Sequence, residues 1–261
     1  MDLVHQLTPM LKSLRLSGIL ETLEARNRLA IDSKLSYVEF LAQLLEDEIE
    51  RRAQHKLKMR LRRAAFDSQK TLESFDFSAS PKLSQKEIVD LATCRYIEKK
   101  QNVFFVGPSG VGKSHLAQAL GHEACRRGYE VLFLSASRML AQLAAGRADG
   151  SYERKLTALT RPQLLILDDF GLKPLKASGP EDFYDVISER YEKGSTLITS
   201  NRAFSEWAEL FGEPLLASAA LDRLAHDAHQ IVLTGESYRT RPTRRRAAEK
   251  RAGNEAQEVP A

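Results

Sequence analysis

Cysteine is nearly missing from this chain: Cys94 and Cys125 are the only two in 261 residues, and their number and spacing fit neither a disulfide framework nor a metal-ligand pattern. Both read as buried thiols in a reducing compartment. Long apolar runs are missing too. No stretch of 18 or more apolar residues occurs, and Met1-Asp2-Leu3-Val4-His5 has no signal-peptide pattern, so neither a spanning helix nor export is expected and the protein is read as cytoplasmic, with no membrane partner. Glycine and proline are scarce over residues 1–70, where Gly18 and Pro9 stand alone. Few breakers mean helix there.

What is present divides unevenly. The net charge of +4 is carried by Tyr238–Ala261, with seven Lys/Arg against three Glu, so residues 1–237 balance. The balance hides segregation: Glu39, Glu46, Asp47, Glu48 and Glu50 precede an acid-free run of Arg51, Arg52, Lys56, Lys58, Arg60, Arg62 and Arg63. A cationic stripe of that density suits phosphate backbones, although a solvated basic face on a packing helix reads the same way. Leu41, Leu45, Ile49, Ala53, Leu57 and Leu61 recur every fourth position, which predicts one long helix with an apolar face and the basic cluster on the others.

From about Thr71 the rhythm changes. Val103–Val106, Val131–Leu134, Leu164–Leu167, Leu197–Thr199 and Ile231–Leu233 are short β-rich runs separated by helical stretches, the pattern of an α/β domain with a five-stranded parallel sheet and right-handed crossovers. We therefore expect a small all-helical domain over 1–70, an α/β domain over 71–241 and a disordered basic tail over 242–261.

Two motifs carry chemistry. Gly107-Pro108-Ser109-Gly110-Val111-Gly112-Lys113-Ser114 fits G-x-x-x-x-G-K-[ST] directly after an apolar strand and before a helical stretch that begins His115-Leu116-Ala117. Glycines let backbone N–H groups turn around a phosphate, Lys113 reaches the outer phosphates and Ser114 can hold Mg²⁺, so ATP or a related triphosphate is the expected ligand. Leu164-Leu165-Ile166-Leu167-Asp168-Asp169 reads as a buried strand with two acids at its carboxyl end. Asp168 would hold the Mg²⁺ shell and Asp169 would orient or deprotonate the attacking water.

The combination of Leu11–Leu23 (LKSLRLSGILETL), Phe75-Asp76-Phe77, Gly107–Ala117 (GPSGVGKSHLA), Leu164–Gly171 (LLILDDFG), Thr199-Ser200-Asn201 and Asp222-Arg223-Leu224 resembles the IstB type of insertion-sequence helper ATPase, in the DnaA/DnaC-like branch of the AAA+ class. The resemblance covers roughly residues 8–240. It implies that Asn201 positions the lytic water, that Arg223 is a finger reaching a neighbour's γ-phosphate and that Arg239 senses the phosphate of its own subunit. It further implies a homo-oligomer, ring or helical, that assembles on double-stranded DNA and recruits a cognate transposase. A basic helix inserted between the second strand and the acid pair would line the assembly, making Arg138, Arg147, Arg154 and Lys155 DNA-contact candidates. Asp169 stands where most AAA+ members carry Glu, which predicts slow turnover. Only about forty residues follow Asn201 before the tail, too few for a helical lid, so a neighbour is expected to close much of the pocket.

A DnaC-like helicase loader would share every nucleotide-site residue and differ in the use of the N-terminal module. A small-molecule kinase fits less well, for want of an Arg-rich lid. Phe75 and Phe77 are either adenine neighbours or core.

Overall fold

The computed structural model describes residues 3–66, 70–80, 82–235 and 237–238. The chain divides into two compact units, Met1–Arg60 and Leu61–Ala261. The division falls inside a helix, earlier than the change of sequence pattern near Thr71.

The first unit is built from α1 (Leu3–Ser13), α2 (Ser17–Asp32) and the first part of α3 (Tyr37–Ala64). Its small core is Ile19, Leu23 and Leu44, with Leu11, Leu16 and Phe40 packed around it. This corrects the expected apolar face of α3. Leu41, Leu45 and Ile49 are 54%, 46% and 68% exposed, whereas Leu44 and Glu48 are buried. The cause is a close backbone approach: a Cβ on Gly18 would lie 2.7 Å from the Glu48 Cα. Only glycine lets α2 and α3 meet there, and that contact turns the Leu44/Glu48 side of α3 inward.

Glu48 is 4% exposed and accepts the Gly18 N–H at 2.6 Å, the Ile19 N–H at 3.4 Å and Arg52 Nε at 2.6 Å. Burial alone would raise its carboxyl, but these donors outweigh burial and hold it below the ordinary value. Arg26, with Thr22 in support, draws its neighbour Asp47 down to about 2. Both groups are therefore more acidic folded than unfolded, so their stabilisation is present above their ordinary values of 3.8 and 4.5 and, for Asp47, fades as pH falls towards about 2. The protection of the α2 amides against hydrogen exchange, taken relative to the intrinsic rate at each pH, is expected to fall below about pH 4. At neutral pH Glu48→Ala should lower the protection of α2 by about 1–3 kcal/mol, since it strands buried N–H donors.

The second unit continues through α4 (Gln85–Ala92), α5 (Arg95–Glu98), β1 (Val103–Val106), α6 (Lys113–Arg126), β2 (Val131–Ser135), α7 (Ala136–Asp149) and α8 (Tyr152–Thr160). It ends with β3 (Leu164–Phe170), α9 (Gly179–Arg190), β4 (Ser195–Ser200), α10 (Pro214–Ala225) and β5 (His229–Val232). The five strands are parallel in the order β2-β3-β4-β1-β5. β1, β4 and the first four residues of β3 are buried along their whole length, as strands covered by helices on both faces must be. On one face Phe104, Leu165, Leu167 and Ile198 join Met139, Phe183, Trp207 and Leu224 from the helices and the turn Phe204–Leu210. Both cysteines are buried, and burial pushes the Cys94 thiol up to about 11.

The strand order sets the chemistry. β4 lies between β1 and β3, so the carboxyl end of β4 stands between the loop after β1 and the acids that end β3.

Candidate nucleotide site at the carboxyl edge of the sheet

A cavity of about 500 Å³ opens at this edge, lined by Ser109–His115 from the loop and α6, by Asp169 and Asn201 from the neighbouring strand ends, and by Lys70, Ser74, Phe75, Asp76, Ser80, Leu172 and Tyr238. Gly112 caps α6 with φ 101°, and a Cβ there would lie 2.7 Å from the Phe75 ring. Glycine is thus required both for the left-handed turn and for the aromatic ring above it. The turn aims the first N–H groups of α6 into the cavity, an arrangement that attracts phosphate.

Lys113 is 5% exposed, and its Nζ donates to the carbonyls of Gly107 and Pro108, both at 2.7 Å, and to Asn201 Oδ1 at 2.6 Å. The loop lysine and the β4 asparagine, 88 residues apart, therefore meet directly. Gly107 and Pro108 shape the loop through these carbonyls and do not line the cavity themselves. His115 lines it, and its Nε2 lies 2.9 Å from the Thr71 carbonyl and 3.2 Å from Ser74 Oγ. Phe75 stands edge-on to His115 and Phe77 and faces the cavity; Phe77 does not. The segment 70–80 and Tyr238, whose N–H donates to the Gly110 carbonyl at 2.9 Å, give the cavity a wall from its own chain. Part of the closure expected from a neighbour is thus supplied by the chain itself.

Asp168 and Asp169 are placed differently. Asp169 is exposed, takes φ 57° and lines the cavity. Asp168 is half-buried and does not line it, and its Oδ1 accepts from Thr199 Oγ1. Thr199, which the sequence marked only as part of a strand ending in Asn201, also accepts the Asp169 N–H at 3.0 Å. Among the described residues no group of three or more His, Cys, Asp or Glu is arranged to hold a metal ion. A Mg²⁺ site would therefore rest on the Ser114 hydroxyl, Asp168, phosphate and water. Hard oxygen donors of that kind suit a cation that keeps much of its hydration shell.

Arg223 lies at the other edge of the sheet. It shares a cleft of about 200 Å³ with Lys99, Lys100, Asn102, Arg190 and His226, and its Nη1 donates to the Ala219 carbonyl at 2.7 Å. Asn102 fixes this end by donating to the Leu224 carbonyl at 3.0 Å and accepting the Thr196 N–H at 2.9 Å. The neighbouring Arg190 is 2% exposed, spends its donors on carbonyls and the Thr196 hydroxyl, and is pushed down to about 9 by burial. Arg239 lies outside the described residues, as does 242–261.

The basic candidates separate into committed and uncommitted side chains. Arg147 is the most committed: its Nε donates to the buried Asp182 at 2.7 Å, Glu181 and Asp185 lie nearby, and the guanidinium stacks over Tyr152. It knits α7, α8 and α9 together. Lys155 pairs with Asp149, Arg51 with Glu21, Arg52 with Glu48 and Arg63 with Glu130. Lys56, Lys58, Arg60, Arg62, Arg138 and Arg154 make no ion pair among the described residues, and all but the half-buried Arg60 are exposed.

A five-stranded parallel sheet with a phosphate loop after β1, an acid pair at the carboxyl end of β3 and a polar residue at the end of the strand between them defines a P-loop protein of the AAA+ class. Residues 9–247 match the profile of the IstB-like ATP binding proteins, and the chain belongs to that family. An insertion-sequence protein of Mycobacterium tuberculosis named for ATP binding is 47% identical over 232 residues, 88% of this chain and 92% of the relative. The insertion sequence IS21 ATP-binding protein of Pseudomonas aeruginosa is 37% identical over 242 residues, 93% and 91% of the two chains. Among solved structures, a DNA replication initiation factor has TM-score 0.57 at 22% identity over 71% of this chain, which spans 56% of that one. DnaI has TM-score 0.54 at 22% identity, covering 63% of this chain and 90% of its own. At that identity the two structures share the fold. No helix among the described residues is long and apolar enough to cross a membrane.

Proposed function

We propose that this chain is an ATP-hydrolysing transposition helper that oligomerises on double-stranded DNA and recruits a cognate transposase. The observation that carries the reading is the convergence of Lys113, Asn201 and Asp169 on one cavity in a chain of an insertion-sequence ATP-binding family. Lys113 binds the outer phosphates, the α6 N–H groups surround them, and Ser114 and Asp168 hold Mg²⁺, which when bound neutralises phosphate charge. Asp169 and Asn201 hold the attacking water in line. Arg223, at the opposite edge of the sheet, serves the pocket of a neighbouring copy, and Arg239 is kept as the sensor of its own. Such a protein works in the cytoplasm, where both ATP and the element's DNA are found. A DnaC-like helicase loader is the second reading, favoured by the fold shared with DnaI.

DNA is met by the uncommitted cations, foremost Lys56, Lys58 and Arg60, with Arg62, Arg138 and Arg154 in support; Arg51, Arg52, Arg63 and Lys155 contribute charge from within ion pairs. Binding is expected to be indifferent to sequence, stronger with ATP and steeply weakened by salt. The test replaces Lys56, Lys58 and Arg60 together with Ala. Affinity for unrelated duplexes should fall about equally, and the slope of log affinity against log salt should flatten by roughly 2–3. Parent-like affinity and slope would remove the N-terminal module from DNA binding and favour the loader.

A further inference from the structure

One more side chain at the carboxyl edge is built into the acid pair. Thr199 is fully buried, accepts the Asp169 N–H at 3.0 Å and donates to Asp168 Oδ1 at 2.5 Å. The strand register explains how one hydroxyl reaches both acids. Leu167 pairs with Ile198 and Phe170 with Ser200, so Asp168 and Asp169 together stand opposite Thr199 alone. That is a β-bulge, which throws one residue out of the ladder and re-aims its side chain. Here the re-aimed residue is Asp169, whose φ of 57° is left-handed and whose carboxylate lines the cavity while Asp168 stays half-buried beneath. A non-glycine residue in that conformation persists only when its surroundings hold it there.

We infer that Thr199 is the positioning residue that fixes the two carboxylates relative to each other, and through Asp168 sets the affinity for the divalent cation. The roles of the acids rest on the ATPase reading above; the bulge and its hydroxyl clamp do not. The chemistry requires a group that accepts from an N–H and donates to a carboxylate at once, which a hydroxyl does and a methyl cannot. Without the donor, the Asp168 carboxylate loses the hydrogen bond that fixes its rotamer. The phosphate contacts from the loop and α6 do not pass through Thr199 and should persist.

The full chain carrying Thr199→Val, an isosteric change, is compared with Thr199→Ser. The strand end past the bulge keeps its own ties, because Ser200 Oγ donates to the Phe170 carbonyl at 2.8 Å and Arg202 Nε to the Gly171 carbonyl at 3.0 Å. Thr199→Val should therefore fold, and Thr199→Ala is read in the same way if circular dichroism shows that it does not. Mn²⁺ is titrated by electron paramagnetic resonance into the complex with a non-hydrolysable ATP analogue, and ATP hydrolysis is followed under single-turnover conditions. Thr199→Val should bind the analogue without metal within about threefold of the parent, bind Mn²⁺ about tenfold more weakly and hydrolyse ATP about thirtyfold more slowly, with Thr199→Ser near the parent on every measure. Parent-like Mn²⁺ affinity in Thr199→Val, or an equal loss in Thr199→Ser, overturns the inference. If the parent itself turns over no ATP, the ATPase reading falls, and the Mn²⁺ titration still decides the role of Thr199.

Discussion

Lys113→Ala is expected to remove measurable ATP binding, whereas Asp169→Asn should bind ATP within about threefold of the parent and lose roughly 10²–10⁴-fold in turnover. The two residues line the same cavity but do different work. Lys113 is nearly buried, with a charge focused by the Gly107 and Pro108 carbonyls and Asn201. Truncation removes the cation and strands three acceptors, so a modest loss of stability, about 1–3 kcal/mol, should accompany the loss of binding. Asp169 is solvent-exposed beside the phosphate loop, and its amide analogue keeps the shape but is a poor base. Calorimetric titration with ATP separates the two, and phosphate release measures the turnover. Equal affinity and near-parent turnover in both variants would overturn the assignment.

Arg223→Ala should leave ATP binding by each chain intact and lower hydrolysis by on the order of 10³-fold or more, the usual loss on removing an arginine finger. The geometry makes the trans role specific. Arg223 sits among the residues that start β1 and β4, while the phosphate loop and the acids stand at the carboxyl ends of β1 and β3. No movement of one side chain carries it across the sheet. Mixing Arg223→Ala with Asp169→Asn chains should restore part of the activity at interfaces that join an intact finger to an intact acid. Demonstrated mixed assembly without recovery would count against the finger.

Strand positions, the phosphate loop and the acid pair were legible in the sequence because each depends on local chemistry: an apolar run, glycines at a turn, acids at a strand end. Asn201 was legible only through resemblance, and its bond to Lys113 depends on the strand order. Thr199 was not legible as a clamp. Its role arises from a one-residue slip between β3 and β4, which no composition signal marks. The inward face of α3 departs from its sequence pattern for a similar reason, since a strict four-residue repeat points to Leu41, Leu45 and Ile49 while a single glycine on another helix decides the packing. The ion pairs of Arg147 were not legible either, because its acidic partners come from a helix more than thirty residues later.

The strand order also dictates a timetable for synthesis. β1 carries the phosphate loop and is the first strand translated, yet its partners are β4 and β5, the last two. β2 and β3 can pair as soon as both emerge, while β1 waits for roughly 90 further residues, on the order of 5–20 s at the usual pace of a ribosome. A nascent chain therefore holds an apolar strand without neighbours through much of its translation, a window in which chaperones or misfolding compete. ATP competence arrives late and all at once, when β4 slots between β1 and β3 and brings Asn201, Thr199 and the acids together in a single closing step.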